Sequence, residues 1–258
     1  MKVINLLVFL SISLDSFKAL SYERFAKLPK RYEASGLAYD KETKSIFTVS
    51  DKGRVTKISE KGDVVESWKV KGDLEGITIV PEIKNTVFVL DEDKDRIIQF
   101  NYAEDSIVRK YDLSEISQDR SIDGEALAYM PGSNGEKGKF LIGSQSTGEI
   151  FIYEFNLESL SLRLSQILPP KKNLYDISGL LYDEKNKTVW AIYDKSDKVG
   201  ILDADTFETK YLLDLPGSHQ EGIIINDCKV YIAEDKKGDI YVFDYSAFES
   251  GPVCEVSS

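Results

Sequence analysis

A short signature built around a small residue returns five times along this chain and restricts its architecture. The copies read EASGLAYD from Glu33, GDLEGITI from Gly72, DGEALAYM from Asp123, DISGLLYD from Asp176 and HQEGIIIN from His219. With the residue before the glycine (or before Ala126) as marker, Ser35, Glu75, Glu125, Ser178 and Glu221 stand 40, 50, 53 and 43 residues apart. Self-similarity at that period marks stacked supersecondary units, and these lengths suit the four-stranded blades of a β-propeller.

The residues between the markers agree. Each is followed by a β-rich run, a polar turn and a second run: SIFTVSD, NTVFVLD, KGKFLIGS, KTVWAIYD and KVYIAE. Third and fourth runs follow, such as RVTKIS with VVESWKV, or RIIQFN with IVRKYDL. Val, Ile, Phe and Tyr over four to seven residues, bounded by Gly, Asp, Asn and Lys, spell strands, and no helical period competes. The fifth repeat runs GIIIN, KVYIAED and DIYVFDY and then lacks a fourth strand. The segment YERFAKL, Tyr22 to Leu28, precedes the first marker and resembles the fourth strands YLLDLP and VESWKV. If it supplies the missing outer strand, the ring closes with no free edge there. The expected fold is therefore all-β: one propeller over residues 22–258, with five four-stranded blades closed by the N-terminal strand. The six-bladed alternative would need residues that the chain lacks.

The 258 residues are 42% hydrophobic and 30% charged, enough for one soluble domain with a proper core. A net charge of −11 argues against partners held through phosphate, so nucleic acid and anionic membrane surfaces are excluded, and a monomer is expected. Residues 1–21, MKVINLLVFLSISLDSFKALS, carry Lys2, an apolar stretch to Leu14 and small residues at the end. That reads as a cleaved secretory signal, with Asp15 and Lys18 cutting the apolar run short of a membrane span. The expected location is secreted or periplasmic, without membrane insertion after cleavage. In such a compartment Cys228 and Cys254 stand equally as a disulfide or as two unpaired thiols. Asn186-Lys187-Thr188 is a glycosylation sequon, meaningful in a eukaryotic host.

In a blade, the first strand begins and the following strand ends at the same mouth of the central channel. The markers take the first place, and Asp51, Asp91, Ser144, Asp194 and Glu234 the other. The expected site therefore gathers Glu75, Glu125, Glu221, Asp51, Asp91, Asp194 and Glu234. Two carboxylates about 5 Å apart at an effective dielectric near 20 repel by roughly 3 kcal/mol, so such a funnel calls for protons, lysines or a metal. A hard cation taking oxygen ligands fits, and calcium is the expected cofactor. A plainer reading stays open: in Asp51-Lys52, Asp93-Lys94, Asp194-Lys195 and Asp235-Lys236 a lysine follows the acid, so the acids could simply cap turns. The marker glycine is explained by crowding at the axis, where a side chain would clash. The plentiful Tyr and Phe are expected in the core between sheets.

In SGLAYDKETKSIFTVSD, in DLEGITI with VLDEDKDRIIQF, and in SGLLYDEKNKTVWAIYD, the chain resembles the SdiA-regulated family of extracytoplasmic β-propellers, over essentially all of its mature length. The resemblance implies a secreted or periplasmic propeller that binds calcium. Wider relatives include phytase-like propellers and calcium-dependent, gluconolactonase-like lactonases, in which a glutamate opening an inner strand is a metal ligand; Glu75, Glu125 and Glu221 match that position. The chain departs from the lactonases: His219 is its one histidine, so no histidine dyad can form, and Asp or Ser replaces their metal-binding Asn. No nucleophile elbow, phosphate loop, CxxC pair or HExxH helix is present. The leading reading is a module that binds a small molecule or protein at a calcium-loaded mouth. The alternative is a calcium-dependent hydrolase of a lactone, ester or phosphoester. A third is a structural propeller that binds proteins on its faces.

Overall fold

The computed structural model describes residues 22–113, 121–132 and 137–248. Cys254 and the proposed signal, residues 1–21, lie outside them. The chain opens with β1 (Tyr22–Lys27) and then forms the first blade from β2 (Gly36–Asp40), β3 (Ser45–Ser50), β4 (Arg54–Ser59) and β5 (Val64–Lys69). The second comprises β6 (Leu74–Thr78), β7 (Thr86–Asp91), β8 (Arg96–Asn101) and β9 (Ser106–Asp112). The third comprises β10 (Gly124–Met130), β11 (Gly138–Ser144), β12 (Ile150–Asn156) and β13 (Ser161–Leu168). The fourth is β14 (Ile177–Asp183), β15 (Thr188–Tyr193), β16 (Lys198–Asp203) and β17 (Thr209–Asp214). The fifth has only β18 (Gln220–Asn226), β19 (Lys229–Glu234) and β20 (Asp239–Asp244) of its own, and β1 completes it.

Each blade is an antiparallel meander, with register from Tyr22 opposite Phe243 to Lys27 opposite Asp239 where β1 closes the ring. Ala26 and Leu28 bury themselves there with Tyr32, Ile240 and Val242, and Tyr22 stacks on Phe243 at 5.1 Å. Burial explains the strand sequences. The second strands β3, β7 and β15 are enclosed on both faces and read as nearly continuous apolar runs, whereas the outer strands β5, β9 and β17 face water and are mostly polar. The core is five apolar clusters, one between each pair of neighbouring blades. Most of the rings lie in them, as expected; Phe140 meets Phe88 and Phe155 with centroids 5.2 Å apart.

Two features at the axis position the site. Inner strands of adjacent blades touch backbone to backbone at the marker glycines. A Cβ on Gly36 would lie 2.5 Å from the Glu75 carbonyl oxygen, and one on Gly179 would lie 2.1 Å from that of Glu221. Beside these contacts, the ladder of each inner strand from the second blade to the fifth is broken by a bulge. The register shifts between Leu74 and Ile77, Gly124 and Ala126, Ile177 and Gly179, and Gln220 and Ile223. A bulge leaves a residue unpaired and re-aims its side chain. The extruded residues include Glu75, Glu125, Ser178 and Glu221: the glycine lets two backbones meet, and the bulge turns the neighbouring side chain out of the ladder.

Candidate functional site

Three positions per blade converge at the end of the ring where the inner strands begin. The innermost are the markers Ser35, Glu75, Glu125, Ser178 and Glu221. Two residues earlier stand Glu33, Asp73, Asp123, Asp176 and His219, of which Asp123, Asp176 and His219 adopt left-handed φ of 50°, 62° and 59°. The third set, Asp51, Glu92, Gln145, Asp194 and Asp235, follows the second strand. From the second blade to the fifth these sets are tied together. Glu92 N–H donates to the Asp73 carbonyl (2.9 Å), Gln145 to Asp123 (2.9 Å), Asp194 to Asp176 (3.1 Å) and Asp235 to His219 (3.1 Å). All of these positions are acidic except Ser35, Ser178, Gln145 and His219.

The electrostatics follow from crowding carboxyls in a low-dielectric funnel. Burial, reinforced by the charges of Glu75 and Glu92, pushes the Glu125 carboxyl up to about 10. Burial and Asp73 push Glu75 up to about 8. Burial, chiefly, and the Asp123 carboxyl raise Glu92 to about 7, and burial and Glu33 raise Asp51 to about 6. Glu221 is also driven well above the usual carboxylate range by burial and by Glu125. Asp123 goes the other way because the Ser146 side chain hydrogen-bonds its anion.

Cations sit at the rim rather than at the centre. Lys52 pairs with Glu33, Lys195 stands 3.4 Å from Asp176, and Lys236 Nζ lies 2.6 Å from His219 Nε2. Among the described residues no lysine or arginine pairs with Glu75, Glu125 or Glu221; the Glu125 carboxyl accepts a hydrogen bond from Gln145 Nε2 at 2.7 Å. Turn-capping with lysine compensation therefore describes the outer ring and not the inner one. His219, the one histidine, has two neighbours: Lys236, and Asp194 at 3.9 Å from Nδ1.

Of the residues expected at the mouth, Glu75, Glu125, Glu221, Asp51 and Asp194 are there. Asp91 and Glu234 are directed elsewhere. Asp91 is fully enclosed, paired with Arg96 at 2.6 Å, and accepts the Asp73 N–H. Glu234 is 8% exposed, pairs with Lys237 at 2.7 Å and lines a small cleft against Tyr22 and Tyr241. The cause is a one-residue slip. Asp91, Ser144 and Glu234 are the last paired residues of their strands, opposite Leu74, Gly124 and Gln220, and the mouth belongs to the residue after each. Glu92 and Asp235 thus replace Asp91 and Glu234. Glu33, Asp73, Asp123 and Asp176 also escape the sequence reading, although their signal is plain: an acid two residues before the marker, in four of the five repeats.

Asp73, Glu75 and Glu92 have one carboxylate oxygen each within 4.8 Å of the others. Oxygens on opposite sides of an ion bound at 2.3–2.6 Å stand about 5 Å apart, so the three fit one calcium-sized sphere. The donor set is oxygen alone, which suits hard cations.

The model of the SdiA-regulated family matches residues 12–245. No curated protein matches the chain significantly. Among solved structures, it resembles the Myxococcus xanthus glutaminyl cyclase (13% identity, 86% of this chain and 94% of that one, TM-score 0.62). It also resembles a luciferin-regenerating enzyme (11%, 88% and 95%, 0.55) and the Myceliophteria thermophila Cps50 (Swd1) β-propeller domain (8%, 87% and 99%, 0.53). At these identities the likeness is one of fold. With the family model spanning nearly the whole chain and five blades closed as its repeats require, this protein is a β-propeller that belongs to the SdiA-regulated family.

Proposed function

We propose that this propeller works outside the cytoplasm as a binding module whose acidic mouth holds a divalent cation, calcium, and presents it to a small molecule or protein. One observation carries the reading: buried carboxyls from neighbouring blades face one another with no lysine or arginine pairing them among the described residues, and three oxygens lie within 4.8 Å. Asp73, Glu75 and Glu92 would hold the ion, with Glu125 of the next blade beside it. The bound ion supplies positive charge that offsets the crowded carboxylates. The chain's own residues keep the site open: bulges aim the glutamates, and the lysines remain at the rim.

The location has independent support. Cys228 is disulfide-bonded, which suits an oxidising compartment, and the signal-like N-terminus points the same way. The test is elemental analysis of protein purified without chelator, followed by calorimetric titration of chelator-stripped protein with calcium and with magnesium. Calcium should bind saturably and release protons, because Glu75 and Glu125 are protonated at neutral pH in the metal-free protein. No heat and no change in melting at millimolar calcium would reject the proposal.

A further inference from the structure

The opposite end of the ring is built differently. Beyond the glycine contacts the twisted inner strands splay apart and enclose an open cavity of about 630 Å³, within the range that holds drug-sized ligands. Every blade supplies an apolar residue to it: Leu37, Ile77, Leu127, Leu180 and Ile224, all buried. Tyr39, Tyr102 and Tyr182 also line it, giving aromatic surface between the apolar residues and the rim.

The rim is acidic on balance. Asp40, 8% exposed, accepts hydrogen bonds from the Tyr102 hydroxyl (3.1 Å), Thr43 Oγ1 (2.7 Å) and the Glu42 N–H (2.9 Å). Asp183 accepts from the Lys185 N–H (3.1 Å) and Asn186 Nδ2 (2.7 Å). Neutral donors fix these carboxylates in place. Asp227 and Glu184 add exposed charge, and with Asp40, Asp183 and Glu42 they make five carboxylates against the three lysines of the rim, Lys41, Lys185 and Lys84, the last paired with Glu42. The field registers on Tyr102, which burial first, and then the Asp40 carboxylate, push up to about 12.

We infer that this cavity is a second binding site, for a small molecule with an apolar body and a protonated amine. An apolar interior takes the body by excluding water. Preorganised carboxylates favour an ammonium at the rim and repel a carboxylate head. The site lies at the far end of the inner strands from the acidic mouth and does not depend on a metal there.

Three ligands with one body and different heads test it: decylamine, decanol and decanoate, titrated by calorimetry below their micelle concentrations at neutral pH. Decylamine should bind saturably and about tenfold or more tighter than decanoate, a preference that shrinks as salt screens the rim. Thr78→Trp, which fills the cavity, should weaken decylamine by about tenfold or more. Should that variant fail to fold, Asp227→Asn, at an exposed position, must lower the amine-to-acid preference by about threefold. No saturable binding of any of the three, decanol or decanoate binding as tightly as decylamine, a folded Thr78→Trp that binds undiminished, or an unchanged preference in Asp227→Asn overturns the inference.

Discussion

Replacing Glu75 by Gln removes one charge from the mouth and keeps its shape, and its effect on stability should reverse with calcium. In the metal-free fold Glu75 titrates at about 8, against an ordinary 4.5. A carboxyl whose folded pKa is raised takes up protons on folding. Below pH 4.5 it is neutral in both states and costs nothing, and as pH rises towards 8 the unfolded chain ionises more readily and stability falls. At pH 7 the gap is about 2.5 pH units, or about 3 kcal/mol at 1.36 kcal/mol per unit. Glu125 shares the same repulsion, so removing Glu75 also lets Glu125 ionise more easily. Glu75→Gln in chelator should therefore be more stable than the parent by about 3 kcal/mol at pH 7, roughly 6–12 °C in melting temperature for a domain of this size. At pH 4 the two should coincide. In calcium at about a hundred times its dissociation constant the parent gains about 2.7 kcal/mol and the variant little of it. Urea denaturation across pH 4–8, with chelator and with calcium, reads both effects. A variant that tracks the parent at every pH in chelator would refute the buried-carboxylate argument, and one with the same calcium increment would refute the placement of Glu75 on the ion.

Other consequences follow from the closure, the axis and the enclosed pair. Deleting residues 22–27 removes β1 and exposes the edge of β20, and size-exclusion chromatography should show oligomers or aggregates; a monomer with an unchanged melt would show that β1 is dispensable. Gly179→Ala places a methyl 2.1 Å from the Glu221 carbonyl oxygen, a backbone atom that cannot move without its blade, and should cost about 3 kcal/mol by chemical denaturation. Arg96→Ala leaves Asp91 enclosed and uncompensated, and should destabilise the fold by about 3–5 kcal/mol at neutral pH, read by chemical denaturation; an unchanged midpoint would show that the pair does not hold the second blade.

The five-bladed ring was legible in the linear sequence because a propeller repeats one local solution. Each blade must alternate strands with turns at a fixed period, and the missing fourth strand of the fifth repeat, with a matching segment at Tyr22–Leu28, made the closure visible before any coordinates. The marker glutamates were legible for the same reason: a glycine forced by backbone contact at the axis fixes the residue beside it. The other half of the mouth depended on register. Whether Asp91 or Glu92, and Glu234 or Asp235, faces the channel turns on a single residue of strand pairing, and the side chains of adjacent positions point to opposite sides. Sequence shows two acids in a row there, and only the ladder tells which is paired opposite Leu74 or Gln220 and which follows the ladder's end. Bulges that shift the inner strands of the second to fifth blades past their neighbours carry no residue signature of their own. The unequal fates of these acids, Asp91 held by Arg96 and Glu75 packed against Asp73 and Glu125, were set by which blades meet in space, since charge in a folded chain is felt over ångströms and not over sequence separation.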